Sequence, residues 1–137
     1  MVEIRRMRES DVERVASIQQ GSPESAQWKA EDYLGFETWV AEADGQVVGF
    51  LALRETGGGE AEVLNVAVDG AWRRRGVARA MIEKGLEGRF EEVYLEVRES
   101  NQGARGLYQS MGFREVGVRP NYYERPQEAG IVMKLQK

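Results

Sequence analysis

The stretch that most constrains this chain is the run Val63-Leu64-Asn65-Val66-Ala67-Val68, followed shortly by Arg73-Arg74-Arg75-Gly76. An apolar run that scarcely alternates suits a central strand covered on both faces rather than one with a wet side. The basic, glycine-containing turn after it opens a helix with Val77, Ala80, Met81 and Leu86 on its buried side. Strand, turn and helix in that order place a helix N-terminus beside the end of a central strand.

The rest of the chain supplies the partners. Val2 to Met7 can form a short first strand. Ser10-Asp11-Val12-Glu13 reads as a capping box, opening a helix that presents Val12, Val15, Ala16 and Ile18 and stops near Gly21. A second helix is expected from about Ser25 to Leu34. Strands follow at Phe36 to Ala43, Val47 to Arg54 and Glu60 to Val68, the first two joined by the hairpin signal Asp44-Gly45 and the last two by Gly57-Gly58-Gly59. Val93 to Val97 reads as a strand, and Asn101 to Met111 as a helix closed by Gly112. Phe113 to Val118 and Ile131 to Leu135 are the final strands. The order is βααβββαβαββ, an α/β (in some schemes α+β) fold with a mixed central sheet rather than a doubly wound one. No repeat, low-complexity tract or Pro-rich linker divides the sequence, so residues 1–137 are expected to form one domain.

Composition removes several chemistries. The chain has no histidine and no cysteine, so it has no thiol nucleophile, no Ser–His pair and none of the usual zinc sites. Proton transfer falls to Asp, Glu, Tyr, Lys, backbone or water. No apolar run approaches the roughly 20 residues that span a bilayer, and the N-terminus lacks a signal-peptide core, so a cytoplasmic location without membrane attachment is expected. A net charge of −4 argues against a nucleic-acid partner and is compatible with a basic protein partner.

The turn Arg73-Arg74-Arg75-Gly76-Val77-Ala78 suits a pyrophosphate, because a helix N-terminus combines unpaired N–H groups with partial positive charge. Taken alone, these residues leave open a solvated basic turn before an amphipathic helix. The turn is not G-x-G-x-x-G and lacks a P-loop Lys-Ser/Thr, which disfavours dinucleotide and nucleoside-triphosphatase readings.

Arg73-x-x-Gly76-x-Ala78 after Asn65-Val66-Ala67-Val68 resembles the acetyl-CoA site of the GCN5-related N-acetyltransferases (GNAT). Leu95-Glu96-Val97-Arg98, Ser100-Asn101, Ala104, Leu107-Tyr108, Gly112-Phe113 and Arg119-x-Asn121-Tyr122-Tyr123 resemble the RimI-type ribosomal-protein alanine N-acetyltransferases within it. The resemblance implies a mostly antiparallel sheet flanked by helices, with acetyl-CoA as cosubstrate and no metal. It implies cofactor contacts at Val66, Ala67 and Val68 along the strand, at Arg73, Arg74, Arg75, Gly76, Val77, Ala78 and Arg79 in the turn, and at Asn101. It implies Glu96 as base, directly or through a water, and Tyr108 as acid, with transfer through a tetrahedral intermediate. Trp28 and Tyr33 would line the acceptor side. The implied acceptor is the N-terminal alanine of a basic small-subunit ribosomal protein.

The residues add their own support. Val93, Leu95 and Val97 alternate with Glu96, so Glu96 points away from the apolar set. Tyr108 lies seven residues past Asn101, two helical turns along the same face. Glu96 paired with Arg98 or another arginine, and Tyr108 as a core residue, remain open alternatives. An α-amine with a pKa of about 7.7–8.0 is neutral far more often at pH 7 than a lysine at about 10.4, which favours an N-terminal acceptor. Tyr122 and Tyr123 are expected in a loop, residues 119–130, that covers the acceptor peptide or merely anchors the surface. Glu24, Glu31, Asp32 and Glu37 either attract a basic N-terminus or form a solvated helix face. The remaining alternatives are a small-molecule amine or other protein N-termini as acceptor, and a non-catalytic module that only binds acetyl-CoA.

Overall fold

The computed structural model describes residues 2–23, 26–124 and 126–137. Seven strands hydrogen-bond in the order β1-β2-β3-β4-β5-β7-β6. They are β1 (Glu3–Arg6), β2 (Glu37–Ala43), β3 (Gln46–Gly57), β4 (Glu60–Val68), β5 (Glu92–Arg98), β6 (Arg114–Tyr123) and β7 (Glu128–Gln136). The helices are α1 (Val12–Gln20), α2 (Val77–Leu86) and α3 (Gln102–Ser110). The sheet is mixed and mostly antiparallel, as expected, with β4 and β5 the parallel pair. The chain divides into two compact units, Met1–Arg54 with Leu64–Glu87, and Glu55–Val63 with Gly88–Lys137.

In the first unit β1, β2 and β3 form an antiparallel meander, and Asp44-Gly45 makes its tight turn with both residues at positive φ. Val15, Ile18, Tyr33, Val40 and Phe50 form its core. The strand covered on both faces is β3, buried without a break from Val47 to Leu53. The run in β4 instead alternates, with Ala61, Val63, Asn65 and Ala67 buried and the residues between them half-buried. Leu64, Val66 and Val68 are apolar yet retain accessible surface, which makes composition a poor guide to coverage on this strand. Helix α2 packs so closely that a Cβ on Gly49 would meet Met81 Cε at 3.1 Å and the Ala67 carbonyl at 3.2 Å.

Two helix expectations are corrected here. A 3-10 turn, Glu9–Asp11, precedes α1, and the reciprocal acceptor is Asp11, whose Oδ2 takes the Arg8 N–H at 2.7 Å. Asp11 is held there by Arg5, which donates to both carboxylate oxygens at 2.9 and 3.0 Å, so Ser10 and Glu13 do not form the box. The second helix is only a 3-10 segment, Ala30–Gly35; its expected start at Ser25 lies outside the described residues, as does Glu24. The Ala26 and Trp28 carbonyls accept from the side chains of Asn65 (2.9 Å) and Gln19 (2.5 Å), which takes them away from a helical ladder.

In the second unit β5 pairs in parallel with β4 from Glu60↔Glu92 to Glu62↔Tyr94, β7 runs antiparallel to β5, and β6 antiparallel to β7 at the sheet edge. Strand β6 continues to Tyr123, well past the expected Val118, so Tyr122 and Tyr123 stand on a strand and not in a long loop. The register shifts between Arg119 and Tyr123, where Asn121 adopts φ +57°. Among the described residues no helix is long and apolar enough to cross a membrane.

Candidate functional site

The basic turn belongs to the first unit. Asp69 follows β4 and caps a short 3-10 turn, accepting from the Ala71 N–H at 2.8 Å and from Arg14. Arg73, although exposed, donates to the Gly21 carbonyl (2.9 Å), Ser22 Oγ (3.1 Å) and the Val68 carbonyl (3.3 Å), which binds the end of α1 to the end of β4. Arg74 and Gly76 both have left-handed backbones, and Arg75 lies over the Trp72 ring at 4.9 Å. Val77 is buried and seats the helix, while Ala78 and Arg79 are half-buried. The first helical bond runs from the Ala80 N–H to the Gly76 carbonyl, so the helix end begins at this turn and its first amides point along the axis away from the helix. A Cβ on Gly76 would meet nothing within 4 Å, so the glycine serves the backbone angle and the space above the turn is open. An open, cationic, amide-lined helix end fits a pyrophosphate.

Val66 and Val68 are half-buried on β4 and Ala67 is buried; the Val66 N–H donates to Asn65 Oδ1 at 3.0 Å. Asn65 Nδ2 also donates to the Tyr33 hydroxyl at 2.8 Å, and that hydroxyl donates to Gln19 Oε1. Tyr33 is thus wholly buried, with burial pushing its phenol pKa up. Trp28 stacks on it at 5.6 Å and keeps 38% of its surface exposed, so any outward contact from this pair belongs to Trp28. Sequence reasoning gave no role to Asn65 or Gln19. The signal for Asn65 was there, a lone amide inside an apolar run.

In the second unit Glu96 lies on β5 between buried Val97 and Leu95, its side chain 17% exposed on the opposite face. Oε1 is 3.4 Å from Arg119 Nε, and Oε2 is buried with no hydrogen-bond partner among the described residues. Burial raises its pKa above the ordinary carboxylate range; Arg119 opposes that, Glu62 adds to it, and a hydrogen bond from the Tyr122 hydroxyl, the smallest influence, lowers it. The cation on Glu96 is therefore Arg119. Arg98 is committed elsewhere, to the Pro126 and Glu124 carbonyls (3.0 and 3.1 Å) and to Glu128 Oε1 (3.2 Å).

Tyr108 is 6% exposed on α3 and packs on Phe113 at 5.8 Å. Burial, then the neighbouring Tyr123, push its pKa well above that of a free phenol, so it holds its proton at physiological pH. Tyr123 is pushed up to about 12, by burial and then by Glu96. Tyr122 and Tyr123 meet edge to face at 5.1 Å. Asn101 caps α3 through the Ala104 N–H at 3.2 Å, a helix-capping contact the sequence reading did not assign. Among the described residues no group of three or more Asp or Glu side chains is placed to hold a metal ion. The second unit therefore presents one partly unsatisfied carboxylate among three protonated phenols, a set suited to moving protons.

Residues 4–113 match the sequence family described as the Acetyltransferase (GNAT) family, and the chain belongs to it. Its membership implies acetyl-CoA as cosubstrate. Within the family it is an N-acetyltransferase of the RimI-like kind. The [ribosomal protein bS18]-alanine N-acetyltransferase of Escherichia coli K12 is 37% identical over 113 residues, 78% of this chain and 74% of that protein. An N-alpha-acetyltransferase of Sulfurisphaera tokodaii is 34% identical over 110 residues, 69% of this chain and 66% of that one. The crystal structure of the ribosomal-protein-S18-alanine N-acetyltransferase from Escherichia coli superposes with a TM-score of 0.86 at 27% identity, covering 99% of this chain and 94% of that chain.

Proposed function

We propose that this chain transfers the acetyl group of acetyl-CoA to the α-amine of a protein N-terminus, with the N-terminal alanine of a basic small-subunit ribosomal protein as acceptor. The observation that carries this reading is Glu96, whose buried Oε2 has no hydrogen-bond partner among the described residues. A buried carboxylate oxygen left unpaired is unfavourable unless something cationic or protic is meant to meet it. An α-ammonium answers both requirements, and a base with a raised pKa is better matched to an α-amine than an ordinary carboxylate is.

Acetyl-CoA supplies the activated thioester. In the first unit the turn from Arg74 to Arg79 holds its pyrophosphate by backbone amides and cationic side chains, and the β4 backbone at Val66, Ala67 and Val68 holds the amide-rich arm; in the second unit Asn101 is the residue assigned to that arm. Arg73 serves that site indirectly, by fixing the end of β4. Glu96 takes the amine proton, directly or through water. Tyr108, protonated at working pH, returns a proton to the leaving thiolate. In the first unit Trp28, backed by Tyr33 from the core, offers aromatic area to an acceptor; in the second, Tyr122 and Tyr123 do so beside Glu96.

The test is acetylation of an Ala-initiated basic peptide, beside its N-terminally blocked twin and a lysine-containing control. Acetylation confined to the free α-amine is the expected result. Turnover of the blocked twin would refute the α-amine assignment, and turnover of small amines alone would move the acceptor to a metabolite.

A further inference from the structure

Arg119 has no part in the chemistry described so far, and it lies beyond residue 113, where the family match ends. Its side chain is 58% exposed, yet its guanidinium reaches Glu96 Oε1 at 3.4 Å and lies over the Tyr122 ring at 5.2 Å. In a regular strand residues three apart point to opposite faces, so Arg119 and Tyr122 should not both face Glu96. The irregularity in β6 makes it possible. Arg119 opposes Gly130 and Tyr123 opposes Glu128, so β6 advances four residues while β7 advances two, with Asn121 in the left-handed region. Gly130 leaves the room required, since a Cβ there would meet Tyr122 Cδ2 at 3.1 Å and Tyr123 Cε2 at 3.3 Å.

We propose that Arg119 is a positioning residue for acetyl transfer: carried to Glu96 by the β6 bulge, it holds Oε1 and leaves Oε2 for the acceptor amine. The proposal rests on Glu96 being the base. It gives the two carboxylate oxygens different tasks, one anchored by a cation on the rim and one kept dry for the proton. It also gives Arg119 a charge role, favouring the ionised form of a carboxylate that burial would protonate.

The other groups facing Glu96 do not replace it. The Tyr122 hydroxyl from β6 hydrogen-bonds to Glu96 but brings no charge, Tyr123 beside it is a neutral phenol, Glu62 from β4 is a like charge, and Val132, its register partner on β7, is apolar. Farther along β5, Arg98 is bound to Glu128, and Lys134 of β7 is bound to Glu92. Tyr108 of α3 adjoins Tyr123 and is protonated.

Two measurements test this. The pH dependence of kcat/KM for the Ala-initiated peptide is recorded for wild type, Arg119→Gln, Arg119→Lys and Glu96→Gln; the acceptor's own titration is common to all four. The Glu96 carboxyl is also titrated by NMR in protein carrying 13C-labelled glutamate, its resonance assigned by its absence in Glu96→Gln. In Arg119→Gln both the acidic limb and the NMR titration should move up by about one pH unit, so the rate below the limb falls about tenfold and the deficit shrinks as pH rises. Arg119→Lys should restore most of the position. A limb and an NMR titration both unmoved in Arg119→Gln, with Glu96→Gln inactive, overturn the role of Arg119 alone. Near-normal turnover by Glu96→Gln overturns the base assignment, and this proposal with it.

Discussion

At the scale of single residues, polar side chains in apolar surroundings carry most of the information. Asn65 is buried on β4 and serves four partners, the Val66 N–H, the Tyr33 hydroxyl, Gln19 Oε1 and the Ala26 carbonyl. Replacing it by leucine removes the bonds to the half-buried Ala26 carbonyl and Val66 N–H together, and one unsatisfied buried group costs about 1–3 kcal/mol, so each of these falls toward the low end of that range. Asn65→Leu should therefore lose about 2–3 kcal/mol of stability, read as a lower midpoint at unchanged slope in urea unfolding. An unchanged midpoint would mean that water replaces the amide. The sequence marked Asn65 as anomalous within its run. It did not reveal the partners, because Gln19 and Tyr33 lie 46 and 32 positions away.

At the scale of elements, local patterns succeeded where the backbone makes its own bonds. The Asp44-Gly45 hairpin, the start of α2 after Gly76 and the alternation along β5 all follow from short-range geometry. The expected helix at 25–34 failed because distant amides took its carbonyls, and the length of β6 was missed because Pro120 and Asn121 look like the start of a loop. Gly76 tests the turn directly. At φ +78° a valine is strained by about 1–2 kcal/mol, with no clash to add because the surrounding space is open. Gly76→Val should remain folded, with a modest loss in thermal melting. Its affinity for coenzyme A, measured by isothermal titration, should fall by more than about tenfold, since that costs about 1.4 kcal/mol or more. A variant that loses stability but binds normally would remove the helix end from the cofactor site.

At the scale of the whole molecule, ionised carboxylates tie the chain together and predict its response to acid. Asp11 is held low by Arg5, Asp69 by the Ala71 N–H and then Arg14, Glu92 by Lys134, and Glu128 by Ser100 and then Arg98. Each has a folded pKa below its unfolded one. The stability it contributes is complete above the ordinary carboxylate value of about 4 and is lost as pH falls through the lowered one. Glu96 has the opposite sign: its contribution is present while protonated and is lost as pH rises through its raised value. Thermal melts should therefore show Tm falling steeply below about pH 4, and Asp11→Asn should lower Tm at neutral pH while flattening that fall. A slope unchanged by Asp11→Asn would mean that the Arg5–Asp11 pair forms equally in the unfolded chain.

The sequence by itself determined most of the strands and the helices α1, α2 and α3, the strand–turn–helix that opens a helix end to an anion, and the face on which Glu96 stands. It also removed histidine and cysteine, leaving proton handling to carboxylates and phenols. Those properties depend on neighbours a few residues apart, so a strand's alternation or a helix's period is enough to read them. Only the tertiary structure decided that Tyr33 is buried, that Arg73 ties α1 to β4, and that Arg119 rather than Arg98 meets Glu96. Pairing and proton affinity are set by whichever charges and apolar walls distant segments bring within a few ångströms. A bulge in one edge strand is enough to change which arginine arrives.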